Sequence, residues 1–117
     1  MKKFAVICMV VGLMSVGVAD AAVTLTFDEL PTQPVDGLTY KGVTFGFTIG
    51  GNPSTDALYS DVGPGAITFL QDTVLEGNSA GILTLDFVQP TDMLQFGIAL
   101  NSFYPAMPAY SVQLFDA

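Results

Sequence analysis

Beyond residue 21 this chain carries ten Asp and Glu residues against a single base, Lys41, and has no His, Cys or Arg. That inventory decides which chemistry is open to it. A Ser-His-Asp or Cys-His nucleophile cannot be assembled, and phosphoryl transfer would lack cationic support. Zinc and copper sites need imidazole or thiolate ligands, so the only metal class left is a hard, oxygen-bound cation such as Ca²⁺. Paired carboxylates can run glycoside hydrolysis, and Asp28, Glu29, Glu76 and Asp86 are the candidates. They fall on turns or outward strand faces, where carboxylates are normally just solvated. The reading is therefore of a protein that is not an enzyme.

Three aromatic residues fall in irregular stretches where a ring can be presented to a ligand. Tyr59 lies in a long Gly- and Pro-containing loop from Gly50 to about Gly65, and Phe103 and Tyr104 lie in a segment broken by Pro105 and Pro108. Exposed rings combine broad apolar area with, for Tyr, a polar edge, which suits stacking on a sugar or on a partner's apolar face. Gly50-Gly51 and Gly63-Pro64-Gly65 match no phosphate-loop spacing and read as turns.

The elements that would position these residues are strands. Gly81 to Leu100, GILTLDFVQPTDMLQFGIAL, holds two runs of strict alternation. Leu83, Leu85 and Phe87 share one face of the first run, and Leu94, Phe96, Ile98 and Leu100 share one face of the second. Gln89-Pro90-Thr91-Asp92 between them is either a hairpin turn or an arch between sheets. Val23–Phe27 predicts a first strand, Leu38–Tyr40 and Val43–Ile49 a pair broken by a bulge or a tight turn at Lys41-Gly42, and Ala66–Leu70 another strand. Thr73–Leu75 adds a short strand and Tyr110–Phe115 the last. The predicted core is Phe27, Phe45, Phe47, Leu83, Leu85, Phe87, Leu94, Phe96, Ile98, Val112 and Leu114. No helical period is evident past residue 21. The fold class expected is an all-β, antiparallel two-sheet sandwich, incomplete at its C-terminal end because a turn begins at Asp116-Ala117 with no strand after it.

The first 21 residues have a separate logic. Lys2 and Lys3 precede an apolar run from Phe4 to Val18, and Ala19-Asp20-Ala21 offers small residues at both positions read by a signal peptidase. Fifteen helical residues reach only about 22 Å against a hydrocarbon core of about 30 Å, so the run is too short for a span. Residues 1–21 are expected to be a secretory signal peptide and residues 22–117 a single secreted or cell-surface domain. Of the eleven acids in the chain only Asp20 leaves with the signal, so ten acids and Lys41 give a side-chain net charge of −9. Such a surface repels nucleic acid and anionic lipid.

Taken in order, TFDELP, DGLTYKGVTFGF, the central Gly81–Leu100 stretch and YSVQLFDA resemble secreted bacterial β-sandwich domains of the jelly-roll, carbohydrate-binding-like type. Such domains occur in exported proteins with a Pro-Glu-Pro C-terminal sorting tag, although this chain shows no tag, following apolar helix or basic terminus. The resemblance implies a non-catalytic extracellular binding module whose ligand is carbohydrate. It also implies a structural Ca²⁺ between an acid near the first strand and one near the last, here Asp28 or Glu29 and Asp116. The alternative is a structural or assembly domain whose partner is an extracellular protein.

Overall fold

The computed structural model describes residues 22–63, 65, 70–100 and 110–115. Its strands begin with a corner. β1 (Gln33–Pro34) pairs antiparallel with β5 (Ala57–Asp61), and the next residues cross to the other sheet, where β2 (Thr39–Tyr40) pairs with β3 (Val43–Ile49). Hydrogen bonds record the crossing residue by residue. Val35 N–H still donates to Ala57 of the first sheet at 3.0 Å, whereas Gly37 N–H donates to Phe45 of the second at 2.9 Å. Between them the Asp36 carboxylate accepts from Phe47 N–H at 2.9 Å, so a side chain supplies the acceptor where the strand is changing sheets.

β2 and β3 meet across Lys41 and Gly42, whose φ values of 48° and 78° are both positive. A two-residue hairpin with both central residues left-handed has the twist that flanking strands need, and glycine accepts that conformation without steric cost. Of the bulge and the tight turn expected at these two residues, the turn is what forms. β3 then pairs with β4 (Asn52–Pro53) and, over its whole length, with β7 (Gly81–Phe87). β6 (Val74–Gly77) pairs with β5. The result is two antiparallel sheets packed together, β1-β5-β6 on one side and β2, β4 and β7 gathered around β3 on the other. This is the all-β sandwich class predicted from alternation.

The core is made by period-two burial on the two central strands. Val43, Phe45 and Phe47 of β3 face Ala57 and Tyr59 of β5, with Val35 of the corner between them, and all six are buried. Leu25, Phe27, Leu30, Leu85 and Phe87 pack half-buried around that cluster. β5 carries one extra residue relative to β6, because Leu58 opposes Glu76 while Asp61 opposes Val74. Such a bulge kinks the strand and re-aims its side chains, and it includes Tyr59 and Ser60, the latter with φ of 64°.

Several expectations are corrected. The stretch from Gly50 to Gly65 is not one long loop, since β4 and β5 fall within it. Val23–Phe27 is not a strand, because Phe27 turns to φ of 63° and a side chain takes the N–H groups that a sheet would use. Leu94–Leu100 and Tyr110–Phe115 are not in strands either. Alternation fixes which face of a segment is apolar, but a strand also needs a neighbour to accept its hydrogen bonds. Accordingly Leu94, Phe96, Ile98, Val112 and Leu114 are exposed instead of buried, and Leu83, although paired in β7, is exposed as well. The predicted strand at Ala66–Leu70 lies outside the described residues apart from Leu70, as do residues 1–21, where a signal peptide is expected.

Core substitutions should separate along this line. Phe45→Ala should cost about 3–5 kcal/mol in urea unfolding, whereas Leu114→Ala, at a residue 84% exposed, should change stability by no more than about 0.5 kcal/mol. Gly81→Ala should cost about 1–3 kcal/mol, since its Cβ would fall 2.0 Å from the Phe47 ring.

Candidate functional site

The densest polar constellation in the described residues gathers on Glu29. The chain approaches it along an extended but unpaired segment and reverses at Phe27. There the Glu29 carboxylate reaches back: Oε1 accepts Thr26 N–H at 3.0 Å and Oε2 accepts Phe27 N–H at 3.0 Å. Two donors arrive from elsewhere in the fold. Lys41 Nζ, at the tip of the β2-β3 hairpin, donates to Oε1 at 2.9 Å, and the Tyr59 hydroxyl donates to Oε2. Lys41 Nζ also donates to the Thr24 carbonyl at 2.9 Å. The next residue, Asp28, accepts the Thr26 hydroxyl.

Tyr59 is fully buried, with its ring packed edge-on against three others: Phe27 at 5.2 Å, Phe45 at 6.0 Å and Tyr40 at 6.2 Å between centroids. Such edge-to-face geometry adds to the gain from burial alone. Lys41 lies 5.5 Å over the Tyr40 ring. One hydroxyl therefore reaches out of an aromatic box to a carboxylate that also holds the N-terminal segment and the hairpin.

The titration of the cluster follows from these contacts. Burial opposes the charged form of Glu29, but hydrogen bonds from Tyr59, Lys41 and the backbone outweigh it and hold the carboxyl far below its ordinary value of 4.5. Burial, and then the hydrogen bond to Glu29, pushes the Tyr59 phenol far above its ordinary value of 10.0. The hydrogen bond to Glu29 raises Lys41. A general acid or base works best with a pKa near the operating pH. These groups are moved away from neutrality, so the constellation is a fastener.

Of the sequence-predicted site residues, Asp28, Glu29 and Tyr59 are brought together, with Tyr59 donating to Glu29. Tyr59 is part of the core on β5 instead of a loop ring facing solvent. Phe103, Tyr104 and Asp116 lie outside the described residues. Of the proposed calcium ligands, Glu29 has both oxygens engaged by four donors and Asp28 is exposed. Among the described residues no group of three or more Asp, Glu, His or Cys side chains is placed to hold a metal ion. What sequence reasoning missed is the partnership of Glu29, Lys41 and Tyr59. The one signal available was that Lys41 is the only base past residue 21.

Depressions on the described surface include two of similar volume. A shallow groove of about 310 Å³ runs over β5 and β6, with Asp56, Asp61, Glu76 and Asn78 around Leu58. A deeper cleft of about 350 Å³ opens between the sheets where β6 turns into β7. Phe47, Val74, Leu75, Gly81 and Leu83 line it from the sandwich, and Gly97–Leu100 line it from the segment that follows β7. Comparison with protein-family models, with characterised proteins and with solved structures finds no match to this chain.

The fastener sets a pH window. A carboxyl whose folded pKa is depressed contributes stability that is full above about 4.5 and is lost as the pH falls toward its folded value. A phenol whose folded pKa is raised contributes stability that is full below about 10.0 and is lost as the pH rises. Urea midpoints should thus be flat between these limits and fall on both sides. Glu29→Gln and Tyr59→Phe should each cost about 1–3 kcal/mol at neutral pH. The Glu29→Gln loss should be the same in millimolar Ca²⁺ as in chelator; a loss seen only with Ca²⁺ would make Glu29 a calcium ligand.

Proposed function

We propose that this chain is a non-catalytic structural domain of an exported polypeptide, which joins other protein through the open side of its sandwich at β7. The observation that supports it is the contrast among sheet edges. β1 and β4 are two-residue edge strands, each containing a proline (Pro34, Pro53), and β6 is four residues long with an acidic Glu76. Prolines, charges and short length are the usual protections of an edge against pairing with another chain. β7 has none of the first, seven residues of length and one charge, Asp86. Among the described residues it pairs with β3 alone, and Ile82 beside that edge is 65% exposed.

The backbone direction of that edge follows from bonds on its other side. Phe45 and Phe47 of β3 bond toward β2 and β4, through Phe45 N–H to Leu38 at 2.8 Å and Ser54 N–H to Phe47 at 2.9 Å. The even-numbered residues of β3 therefore bond toward β7, and with Thr44 opposite Asp86 they meet even-numbered residues there. Val88 N–H, donating to Gly42 at 2.9 Å, fits the same parity. Leu83, Leu85 and Phe87 are left to direct their N–H and C=O groups outward. Exposed apolar residues lie at both ends of this edge: Val88 directly follows it, and Ile98 lines one cleft with Gly81 and Leu83. Contiguous apolar surface rimmed by polar groups is the mark of a protein-binding face.

The residues before Ala22 support export by their charge, length and small-residue pattern. Carbohydrate binding stands second. It keeps support from the resemblance of the strand motifs and from the β5-β6 groove, whose carboxylates and Asn78 can accept from and donate to sugar hydroxyls. The burial of Tyr59 withdraws one of its three rings.

Sedimentation velocity over a concentration series, together with retention on immobilised oligosaccharides, tests the order of the two. Association without sugar retention is expected, and it should strengthen between 0.02 and 0.3 M salt as the like charges of the domains are screened over a Debye length that shrinks to less than about 10 Å. Sugar retention by a chain that stays monomeric throughout would reverse the order.

A further inference from the structure

The reading of β7 as an assembly edge leaves its occupant unnamed, and the chain itself contains a segment of matching pattern. Leu94–Leu100 alternates apolar and small or polar residues, and Met93–Leu100 carries no charge. It is not in a strand, and Leu94, Phe96 and Ile98 are 42–52% exposed. Its far end lies at the open side of the sandwich, where Ile98, Ala99 and Leu100 line one cleft with Gly81 and Leu83.

Pairing Leu83 with Ile98 fixes an antiparallel register for the whole segment. It sets Leu85 opposite Phe96 and Phe87 opposite Leu94, so Leu94, Phe96 and Ile98 fall on the same face as Leu83, Leu85 and Phe87. The opposite face then pairs Ile82 with Ala99, Thr84 with Gly97 and Asp86 with Gln95. Directly opposite residues share a face, and a slip by one residue would turn the entire apolar set to solvent. The same register brings the backbone groups of residues 94, 96 and 98 against the outward N–H and C=O groups of Phe87, Leu85 and Leu83. In the described structure this ladder is not formed within the chain, although residues 97–100 line one cleft with Gly81 and Leu83.

We infer that the occupant of β7 is residues 94–100 of a second copy, exchanged reciprocally so that each copy supplies a strand and accepts one. This inference rests on the assembly reading above. The contact is isologous, the same surface on both copies, and closes as a dimer. Each β7 gains a full-length neighbour, and Leu94, Phe96 and Ile98 leave water. Residues 88–93, which join β7 to the segment, are all exposed, so the link that an exchange would carry between copies is not held in the core.

The test is a pair of thiols, Leu83→Cys with Ile98→Cys, in a Cys8→Ser background of the full chain so that no other thiol is present. Under mild oxidation the expected product is a covalent dimer on a non-reducing gel, whereas either change alone should give much less. A monomer carrying an internal disulfide at all concentrations would overturn the inference, because the segment would then occupy its own edge. Phe96→Pro removes an N–H that this ladder uses while leaving β7 unaltered, and should weaken dimerisation by about ten-fold or more. Association that persists unchanged in Phe96→Pro, with no dimer from the thiol pair, would overturn the exchange yet leave the assembly role standing. A chain that associates with nothing would remove both.

Discussion

A carboxylate that is largely withdrawn from water must be surrounded by donors, and Glu29 imposes that requirement on three separate parts of this chain. Its four hydrogen bonds come from its own approach segment, from the β2-β3 hairpin and from the middle of β5. Each donor has a structural cost that the others offset. Phe27 takes a left-handed φ that bulky residues avoid, and β5 carries a bulge where it includes Tyr59. Removing one partner would leave charge or hydroxyl unsatisfied in a low-dielectric setting, which is why such a network acts as a unit. The aromatic box around Tyr59 is the apolar half of the same arrangement, holding the ring so that its hydroxyl has one place to go.

That fastener secures one end of the sandwich, and the contrast with the other side organises the functional reading. Around Glu29 both carboxylate oxygens have donors, and β1 and β2, which pair beside Tyr59 and Lys41, are two residues long. Around β7 a seven-residue edge, exposed side chains and a cleft between the sheets occur together. Sheet proteins meet such an edge by covering it or by using it. A strand from a second copy does both, and the neutral Met93–Leu100 segment lets strongly acidic domains meet where their charge is least.

The sequence was most informative where a period of two coincided with a neighbouring strand. Val43, Phe45 and Phe47 were recognisable as a buried face, and Lys41-Gly42 as the turn beside it, because local chemistry and pairing agree there. Leu94–Leu100 shows the same alternation just as clearly, yet the pattern says only what a strand would bury and not whether a partner strand is at hand. The Val23–Phe27 run misled for a different reason: Glu29, two residues beyond it, captures its N–H groups and turns the chain away from a sheet. Tyr59 looked like a loop ring because glycines and prolines surround it, while β5 is a central strand held between β1 and β6. The Glu29-Lys41-Tyr59 fastener joins residues 12 and 30 positions apart, a proximity that no local pattern encodes.

Amide hydrogen exchange along β7, followed as the protein concentration is raised, addresses the central claim most directly. Ile82, Thr84 and Asp86 face β3 and should exchange slowly at every concentration, while Leu83, Leu85 and Phe87 should exchange fast in dilute solution and slow as copies associate. Protection of Leu83, Leu85 and Phe87 that is the same at all concentrations, whether fast or slow, would contradict it.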